Sequence, residues 1–264
     1  MKRRKRKNAP CARTVLTGLL SLAGAAVLLY PALSNLYYRH HYAQEAEAFA
    51  RETAAETDAL WENAEAYNAA LAEKEEQFVL TPEEREWIEN CLNPLGTGMM
   101  GSVEIPKIHV DLPIYQGTEE KQLQSGCGWW PGTSLPTGGA DTHCVITAHT
   151  GLAKAKLFTD LDQLEVGDRF TLHILDRSMT YEVEQILVTE PEEVDALRIV
   201  PGEDLVTLYT CTPYGINTHR LLVRGRRIGE ERAGDADRSA VRWIVPAVLV
   251  GTAAAVLAGR RRRQ

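Results

Sequence analysis

The sequence predicts a mainly β domain, folded as a closed or nearly closed β-barrel, that is held between two membrane-spanning helices. The barrel is predicted because short runs of strand-forming residues follow one another from residue 96 onward, with turn signals such as Pro131-Gly132 between them. The membrane helices are predicted by two uncharged, apolar runs near the chain ends. The predicted strands are residues 102–105, 109–115, 144–148, 169–175, 180–188, 205–211 and 219–226.

The two uncharged runs cover residues 14–38 and 243–259. About 20 apolar residues cross the hydrocarbon core of a bilayer, and the second run is near the lower limit of about 17. Seven Lys or Arg residues precede the first run and four Arg residues follow the second, so the positive-inside rule puts both chain ends in the cytoplasm and residues 39–241 outside the cell. The alternatives are a cleaved signal peptide for the first run and a buried C-terminal helix for the second.

The part of the chain between these runs is acidic. The chain has 29 Lys and Arg residues against 36 Asp and Glu residues, and the two terminal clusters hold eleven of the basic ones. Nucleic-acid binding needs clustered cations, so no nucleic-acid partner is predicted. The predicted segments are a cytoplasmic basic tail (1–13), a transmembrane helix (14–38), an extracellular helical segment with a candidate lid (39–95), the barrel (96–229), a linker (230–242), a second transmembrane helix (243–259) and a cytoplasmic tail (260–264).

Helices are predicted before the barrel. Apolar residues at three- and four-residue steps between residues 40 and 77, with abundant Ala and Glu, predict one long helix whose weakly apolar start is a solvated stalk. Thr81, followed by Pro and two Glu residues, predicts the N-cap of a second helix that runs to about Leu92. A short helix is predicted at residues 156–164.

Cys211 ends the predicted strand 205–211 and precedes a Pro-Tyr-Gly turn. A thiol in this position is held rigidly with its sulfur near a loop surface, which suits a nucleophile. From the strand pattern alone, a buried structural cysteine is the simpler interpretation. Because the thiolate is the reactive form, a nucleophilic Cys211 needs an imidazolium or a guanidinium nearby.

Two residues can supply these groups. His149 follows the strand 144–148, where the chain enters a loop. Arg220 returns beside Cys211 if the last two predicted strands pair, and it can then stabilise an oxyanion, whereas His219 points to the opposite face. The weaker candidates for a base are His109, His143 and His173. The sequence has no zinc-ligand spacing, P-loop or dinucleotide motif, so no metal or cofactor is predicted.

Several motifs resemble one family. Residues 207–211 read Thr-Leu-Tyr-Thr-Cys, which matches the TLxTC signature of sortases, and residues 148–152 resemble the segment that carries their catalytic histidine, where Gly is commoner than Ala148. Residues 210–225 resemble the class C, pilin-polymerising branch, and Arg220 falls on the family's catalytic arginine. Ile-Pro-Lys-Ile at residues 105–108 and the second span also resemble that branch. The resemblance covers residues 67–228.

The resemblance implies a closed eight-stranded sortase-type barrel with N-terminal helices and two flanking transmembrane helices, and it implies that Cys211, His149 and Arg220 are catalytic. It implies a cysteine transpeptidase that cleaves an LPxTG-like sorting signal, holds the acyl group as a thioester on Cys211 and passes it to an amine. The implied partners are LPxTG-bearing pilin or surface proteins, an amine acceptor (a pilin lysine or a cell-wall precursor) and the membrane. Transfer to a pilin lysine assembles a pilus.

The matching N-terminal stretch departs from this branch. Class C sortases usually carry a lid with an Asp-Pro-aromatic motif, which residues 75–82 lack. Phe78 either covers the cleft or packs under the following helix. The pair Trp129-Trp130 either lines a substrate groove or packs in the core.

Two other functions stay open at this point. One is a cysteine enzyme of the same fold that hydrolyses its substrate or anchors proteins to the cell wall. The other is a non-catalytic two-span envelope scaffold in which Cys211 forms a disulfide with Cys127 or Cys144.

Overall fold

A computed structural model describes residues 12–53, 57–152 and 154–232, and its centre is one closed barrel of eight strands. The strands are β1 (Met99–Ile105), β2 (Val110–Gln116), β3 (Cys127–Trp129), β4 (Thr142–Thr147), β5 (Arg169–Ile174), β6 (Arg177–Thr189), β7 (Asp204–Thr212) and β8 (His219–Arg232). Around the barrel the order is β1-β2-β3-β4-β7-β8-β6-β5. The pairs β2–β3 and β4–β7 are parallel and the others are antiparallel. The predicted eight-stranded barrel is therefore confirmed.

The alternating side chains of the strands fill the barrel. In β5, Phe170, Leu172 and Ile174 are fully buried, while the residues between them are at least partly exposed. This is the period of two expected when one face of a strand packs in a core and the other meets solvent. A second, smaller cluster lies on the outer face of β4, β7 and β8. We call it the outer cluster; its buried members are Val145, Leu197, Tyr209 and Leu222.

Within the described ranges, four helices accompany the barrel: α1 (Ala12–Glu52), α2 (Asp58–Ala72), α3 (Pro82–Glu89) and α4 (Glu120–Ser125). The predicted cap of α3 is present, because the Thr81 hydroxyl accepts from the Glu84 amide at 3.2 Å and the Glu84 carboxylate accepts from the Thr81 amide at 2.7 Å. This reciprocal pair satisfies two amides that the helix start would otherwise leave unbonded.

The single helix predicted over residues 40–77 is wrong, because α1 ends at Glu52 and α2 begins at Asp58. Tertiary contacts explain the break. The Thr57 hydroxyl and the Trp61 indole both donate to the Asp176 carboxylate, at 3.0 Å and 2.8 Å, in the turn between β5 and β6. These bonds direct α2 onto the barrel instead of letting it continue α1.

The predicted solvated stalk is also wrong. Tyr42 and Phe49 of α1 are buried against the barrel, and the Tyr115 hydroxyl of β2 donates to the Glu45 carboxylate at 2.6 Å. The earlier part of α1 is different, since large apolar side chains such as Leu28 are exposed there. Residues Leu19–Glu52 are long and apolar enough to be a candidate membrane span.

Other predicted boundaries need correction. The three-residue strand β3 and the helix α4 are too short to give a pattern and were not predicted. The helix predicted at residues 156–164 is only a 3-10 turn at Leu161–Gln163. β8 continues to Arg232 because it pairs with the long strand β6, so the start of the predicted linker 230–242 is strand. The predicted second span, residues 243–259, lies outside the described residues, as do residues 1–11 and 260–264 of the predicted tails.

Candidate active site

Cys211 and Arg220 face each other across two neighbouring strands. In the antiparallel pair β7–β8, Cys211 is the direct partner of Arg220, and Tyr209 is the partner of Leu222. Residues directly opposite in such a pair project from the same face. Since Tyr209 and Leu222 belong to the outer cluster, the half-buried Cys211 thiol and the Arg220 side chain lie on the outer face at the end of that cluster.

His149 reaches the same place from the other side of β7. β4 runs parallel to β7 with Thr147 opposite Tyr209, so His149, two residues further, is level with Cys211. The backbone past the strand end is held to β7, because the Ala148 amide donates to the Tyr209 carbonyl at 3.2 Å. The structure thus brings the three predicted site residues to one end of the outer face.

A threonine of the Thr-Leu-Tyr-Thr-Cys motif holds the His149 backbone. The buried Thr210 hydroxyl donates to the Ala148 carbonyl at 2.7 Å and lies 2.8 Å from the Thr150 hydroxyl. On the loop side, the Phe158 amide donates to the His149 carbonyl at 3.2 Å. His149 therefore leaves the strand in a fixed direction, as a group that acts on Cys211 needs.

The His149 side chain is two-thirds buried, and one of its ring nitrogens has no hydrogen-bond partner among the described residues. Its side chain is 31 % exposed, and Nε2 lies 3.6 Å from a carboxylate oxygen of Glu120 on α4. This distance is too long for a hydrogen bond, and Nε2 has no other hydrogen-bond partner among the described residues. A hydrogen bond from Gln124, with the neighbouring His149 as a further cause, holds the pKa of the Glu120 carboxyl below its usual value. An anionic Glu120 faces the imidazole.

Arg220 is oriented by its own loop and by an aromatic neighbour. Its Nη1 donates to the carbonyls of Asn217 and His219, both at 3.0 Å. Burial raises the pKa of Tyr209, and the nearby Arg220 guanidinium opposes that shift. Trp130 packs edge-on against the Tyr209 ring at 4.9 Å between centroids. The guanidinium therefore rests beside a rigid aromatic pair.

The weaker histidine candidates have other partners. His143 is fully buried, with Nδ1 2.8 Å from the Arg198 carbonyl and Nε2 2.8 Å from the Thr207 hydroxyl. Burial lowers its pKa to about 4. His219 lies 3.2 Å from the Glu190 carboxylate, and His173 contacts Ser178 and Glu104.

The described cysteines are all free thiols: Cys91, Cys127, Cys144 and Cys211. Burial raises the pKa of the Cys91 thiol to about 11 and holds those of Cys127 and Cys144 well above the ordinary value. The described structure does not contain the Cys211 disulfide on which the scaffold alternative depends. The same residues contain no group of three or more His, Cys, Asp or Glu side chains arranged to hold a metal ion.

The segment between α2 and α3, residues 73–81, crosses the outer face near the site. The Gln77 side-chain oxygen accepts from the Ile199 amide at 3.0 Å. Phe78 is half-buried and packs against the outer cluster, with the Arg198 guanidinium 5.6 Å from its ring centre. Phe78 therefore packs on the outer cluster. Of the tryptophan pair, Trp129 is fully buried, and its indole donates to the Ser134 carbonyl at 2.8 Å.

Sequence reasoning missed Glu120, Thr210 and Tyr209 as neighbours of the site. Glu120 lies on a six-residue helix with no buried residue, so the sequence carries no periodic signal for it. Thr210 and Tyr209 lie inside the motif that pointed to Cys211, and strand alternation puts them on opposite faces. That alternation was the signal available for assigning Tyr209 to the face of Cys211.

The comparisons with known proteins all point to the same family. The model of the sortase domain matches residues 103–228. The solved structure of sortase C1 from Streptococcus agalactiae is 40 % identical with a TM-score of 0.68, and the match covers 70 % of this chain and 98 % of that one. A Clostridium perfringens sortase C, solved with the C-terminal cell wall sorting motif, is 42 % identical with a TM-score of 0.61, over 70 % of this chain and 98 % of that one.

A curated relative, sortase A of Streptococcus agalactiae serotype III (strain NEM316), is 29 % identical over 118 residues, or 43 % of this chain. The match spans about half of that relative, 47 % of its length.

Proposed function

Because this chain belongs to the sortase family, we propose that it is a cysteine transpeptidase in which Cys211, His149 and Arg220 perform the chemistry. The observation that carries the proposal is the register of three strands. Arg220 is the direct partner of Cys211 on β8, and His149 is level with Cys211 at the end of β4. A thiol between an imidazole and a guanidinium is the arrangement that acyl transfer through a thioester needs.

The proposed reaction has two acyl transfers. The Cys211 thiolate attacks the carbonyl carbon of the scissile peptide bond, and the Arg220 guanidinium stabilises the oxyanion that develops. The C–N bond then breaks, and protonated His149 gives its proton to the leaving amine. A second amine attacks the thioester, His149 takes up the proton of that amine, and the new amide bond releases Cys211.

We propose that the substrate is an LPxTG-like sorting signal and that the acceptor is a pilin lysine. Support comes from the class C neighbours, one of which was solved with a cell wall sorting motif, and from the class C motifs in residues 210–225. A cell-wall precursor is the alternative acceptor.

We also propose that the barrel lies on the extracellular face of the cell membrane. The apolar helix α1 is a candidate span, and the Lys- and Arg-rich residues that precede it favour a cytoplasmic N-terminus. The second span proposed for residues 243–259 would return the chain to the cytoplasm.

The proposal is tested with the full chain and a pilin subunit that carries a sorting signal. We expect a ladder of covalent polymers with the wild type, none with Cys211→Ala, and an unchanged ladder with Cys144→Ala, whose thiol is buried in the barrel. Release of the cleaved pilin without polymers would indicate hydrolysis instead of transfer. A ladder that persists in Cys211→Ala would contradict the assignment of the nucleophile.

A further inference from the structure

The Nε2 atom of His149 is a buried polar atom without a partner. It is enclosed by protein and makes no hydrogen bond within residues 12–53, 57–152 and 154–232. Buried polar atoms in folded proteins are nearly always hydrogen-bonded, because leaving one unpaired is costly. This atom belongs to the residue that is proposed to move protons, so its missing partner concerns the reaction.

A carboxylate on α4 faces this nitrogen. One oxygen of Glu120, Oε2, lies 3.6 Å from His149 Nε2. The other oxygen, Oε1, accepts from the Gln124 side-chain amide at 2.5 Å. The bond from Gln124, with His149 as a further cause, lowers the pKa of the Glu120 carboxyl. Glu120 is therefore an anion with one oxygen held on its own helix and the other turned toward the imidazole.

Only a small movement separates this arrangement from a hydrogen bond. A charge-assisted N–H···O bond is about 2.8 Å long, so the gap must close by roughly 0.8 Å. The backbone on either side of His149 is held by Thr210 and Phe158, whereas the Glu120 side chain is 70 % exposed and free to rotate. Hydrogen bonds of catalytic groups are often long without substrate and tighten in the reacting complex.

The alternative partner of Glu120 is Lys154, in the loop that follows His149. Lys154 contributes less than His149 to lowering the pKa of the Glu120 carboxyl. Its ammonium lies 5.5 Å from the centre of the Tyr38 ring, and its carbonyl accepts from the Ser34 hydroxyl at 2.6 Å. Lys154 is therefore directed toward α1, and the imidazole is the partner that the geometry favours.

We propose that Glu120 is a positioning residue that accepts a hydrogen bond from Nε2 of protonated His149 and leaves Nδ1 to exchange protons with the substrate amines. The inference rests on the proposed transpeptidation and deepens it. Protonated His149 gives its Nδ1 proton to the leaving amine and keeps the proton on Nε2. The attacking amine later returns a proton to Nδ1, and Glu120 remains a carboxylate throughout.

The kinetic test removes the charge of Glu120 and keeps its shape. In the full chain, Glu120→Gln should lower kcat for cleavage of a sorting-signal peptide about tenfold, because a neutral acceptor stabilises the imidazolium less and exposure screens part of the effect. The KM should stay the same, since Glu120 acts through His149. The matched control is Glu119→Gln, which removes an exposed charge from the neighbouring residue and should keep the wild-type kcat.

A spectroscopic test needs no activity. Histidine labelled with ¹⁵N in the ring reports the Nε2–H proton of each imidazolium at about pH 5.5, where an ordinary imidazole is protonated, and the variant His149→Gln identifies the signal. This proton should resonate further downfield in the wild type than in Glu120→Gln, because a charge-assisted bond is shorter. It should keep the wild-type position in Glu119→Gln.

A third variant tests how the carboxylate is held. Gln124→Ala removes the amide that binds Oε1 and keeps the backbone carbonyl that accepts from the Tyr42 hydroxyl. The freed carboxylate has more orientations to lose when it binds His149. We therefore expect kcat to fall in the same direction as in Glu120→Gln, but by less.

An unchanged kcat and an unchanged Nε2–H signal in Glu120→Gln would overturn the inference. So would an equal fall of kcat in Glu120→Gln and Glu119→Gln, which would indicate a general effect of surface charge. A raised KM with the wild-type kcat would make Glu120 a substrate contact instead of a positioning residue. If the wild type forms no polymer ladder, the proposed transpeptidation fails, and the ¹⁵N comparison still decides whether Glu120 binds His149.

Discussion

His143 and His149 lie on the same face, one on β4 and one just beyond its end, yet their surroundings differ. His143 is fully buried and both of its ring nitrogens have partners, Arg198 and Thr207. His149 is 31 % exposed, and its Nε2 lies near Glu120 without a hydrogen bond. The connection between β6 and β7 covers the first histidine, while the second borders a loop and α4. The cover, and not the strand pattern, determines which histidine is available for chemistry.

The cysteines of β4 and β7 give a second contrast on the same two strands. Cys144 is opposite Val206 and projects into the barrel, where it is 2 % exposed. Cys211 lies on the other face and is half-buried. Because side chains alternate along a strand, a shift of one position decides between an inert thiol and an accessible one.

The largest effect is expected from removing the accessible thiol. A peptide vinyl sulfone with an LPxTG-like sequence should label the wild type and Cys144→Ala equally and should not label Cys211→Ala, as measured by intact mass. The loss should be complete because a vinyl sulfone reacts with a thiolate, and Cys211 is the proposed nucleophile. Fast labelling of Cys144 in the folded chain would break the contrast between the two faces.

Replacing His149 should mainly reduce activity, whereas replacing His143 should mainly reduce stability. His149→Ala should lower kcat/KM by about 10²–10⁴, the usual contribution of a general acid–base, and change the free energy of unfolding by about 1 kcal/mol or less, because its Nε2 has no hydrogen bond to lose among the described residues. His143→Ala should destabilise the fold by about 2–4 kcal/mol, because it leaves a cavity and an unpaired buried hydroxyl on Thr207. Denaturant titration and peptide cleavage assays measure the two quantities. Equal loss of stability in both variants would contradict the comparison.

Arg220→Lys should lower kcat/KM by about 10²–10³, because an ammonium keeps the charge but loses the fixed fork of donors. Arg226 is the matched control on the same strand, since it pairs with Glu184 away from Cys211. Arg226→Lys should therefore cleave the peptide at the wild-type rate. A wild-type rate in Arg220→Lys would remove the guanidinium from the proposed mechanism.

The smallest expected effect is a pH dependence of stability from His143. Its pKa in the folded chain is about 4, and in the unfolded chain it is about 6.5, so the unfolded state takes up the proton first as the pH falls. Its contribution is complete above about pH 6.5 and is lost progressively toward pH 4, with about 2 kcal/mol lost at pH 5. Urea unfolding at pH 7 and pH 5 measures this loss. The variant His143→Gln should lack this part of the pH dependence, and an equal dependence in the variant would assign it to other groups.

The sequence predicted the parts of the fold that have strong local patterns. The barrel, the Thr81 cap and the pairing of the last two strands follow from alternation and capping chemistry. The break between α1 and α2 could not be predicted, because it depends on bonds from Thr57 and Trp61 to a turn more than a hundred residues away. The same holds for Glu120, whose approach to His149 is set by packing and not by local sequence.

The parallel pairing of β4 and β7 makes reactivity conditional on complete folding. Positions 148 and 210, which bond next to the proposed acid–base and the proposed nucleophile, are 62 residues apart in the chain. Such a non-local contact forms late, because the loop between its ends must close first. A chain whose last strands have not yet paired therefore holds its thiol and its imidazole far apart, and the proposed acyl transfer can begin only after those strands have closed the barrel.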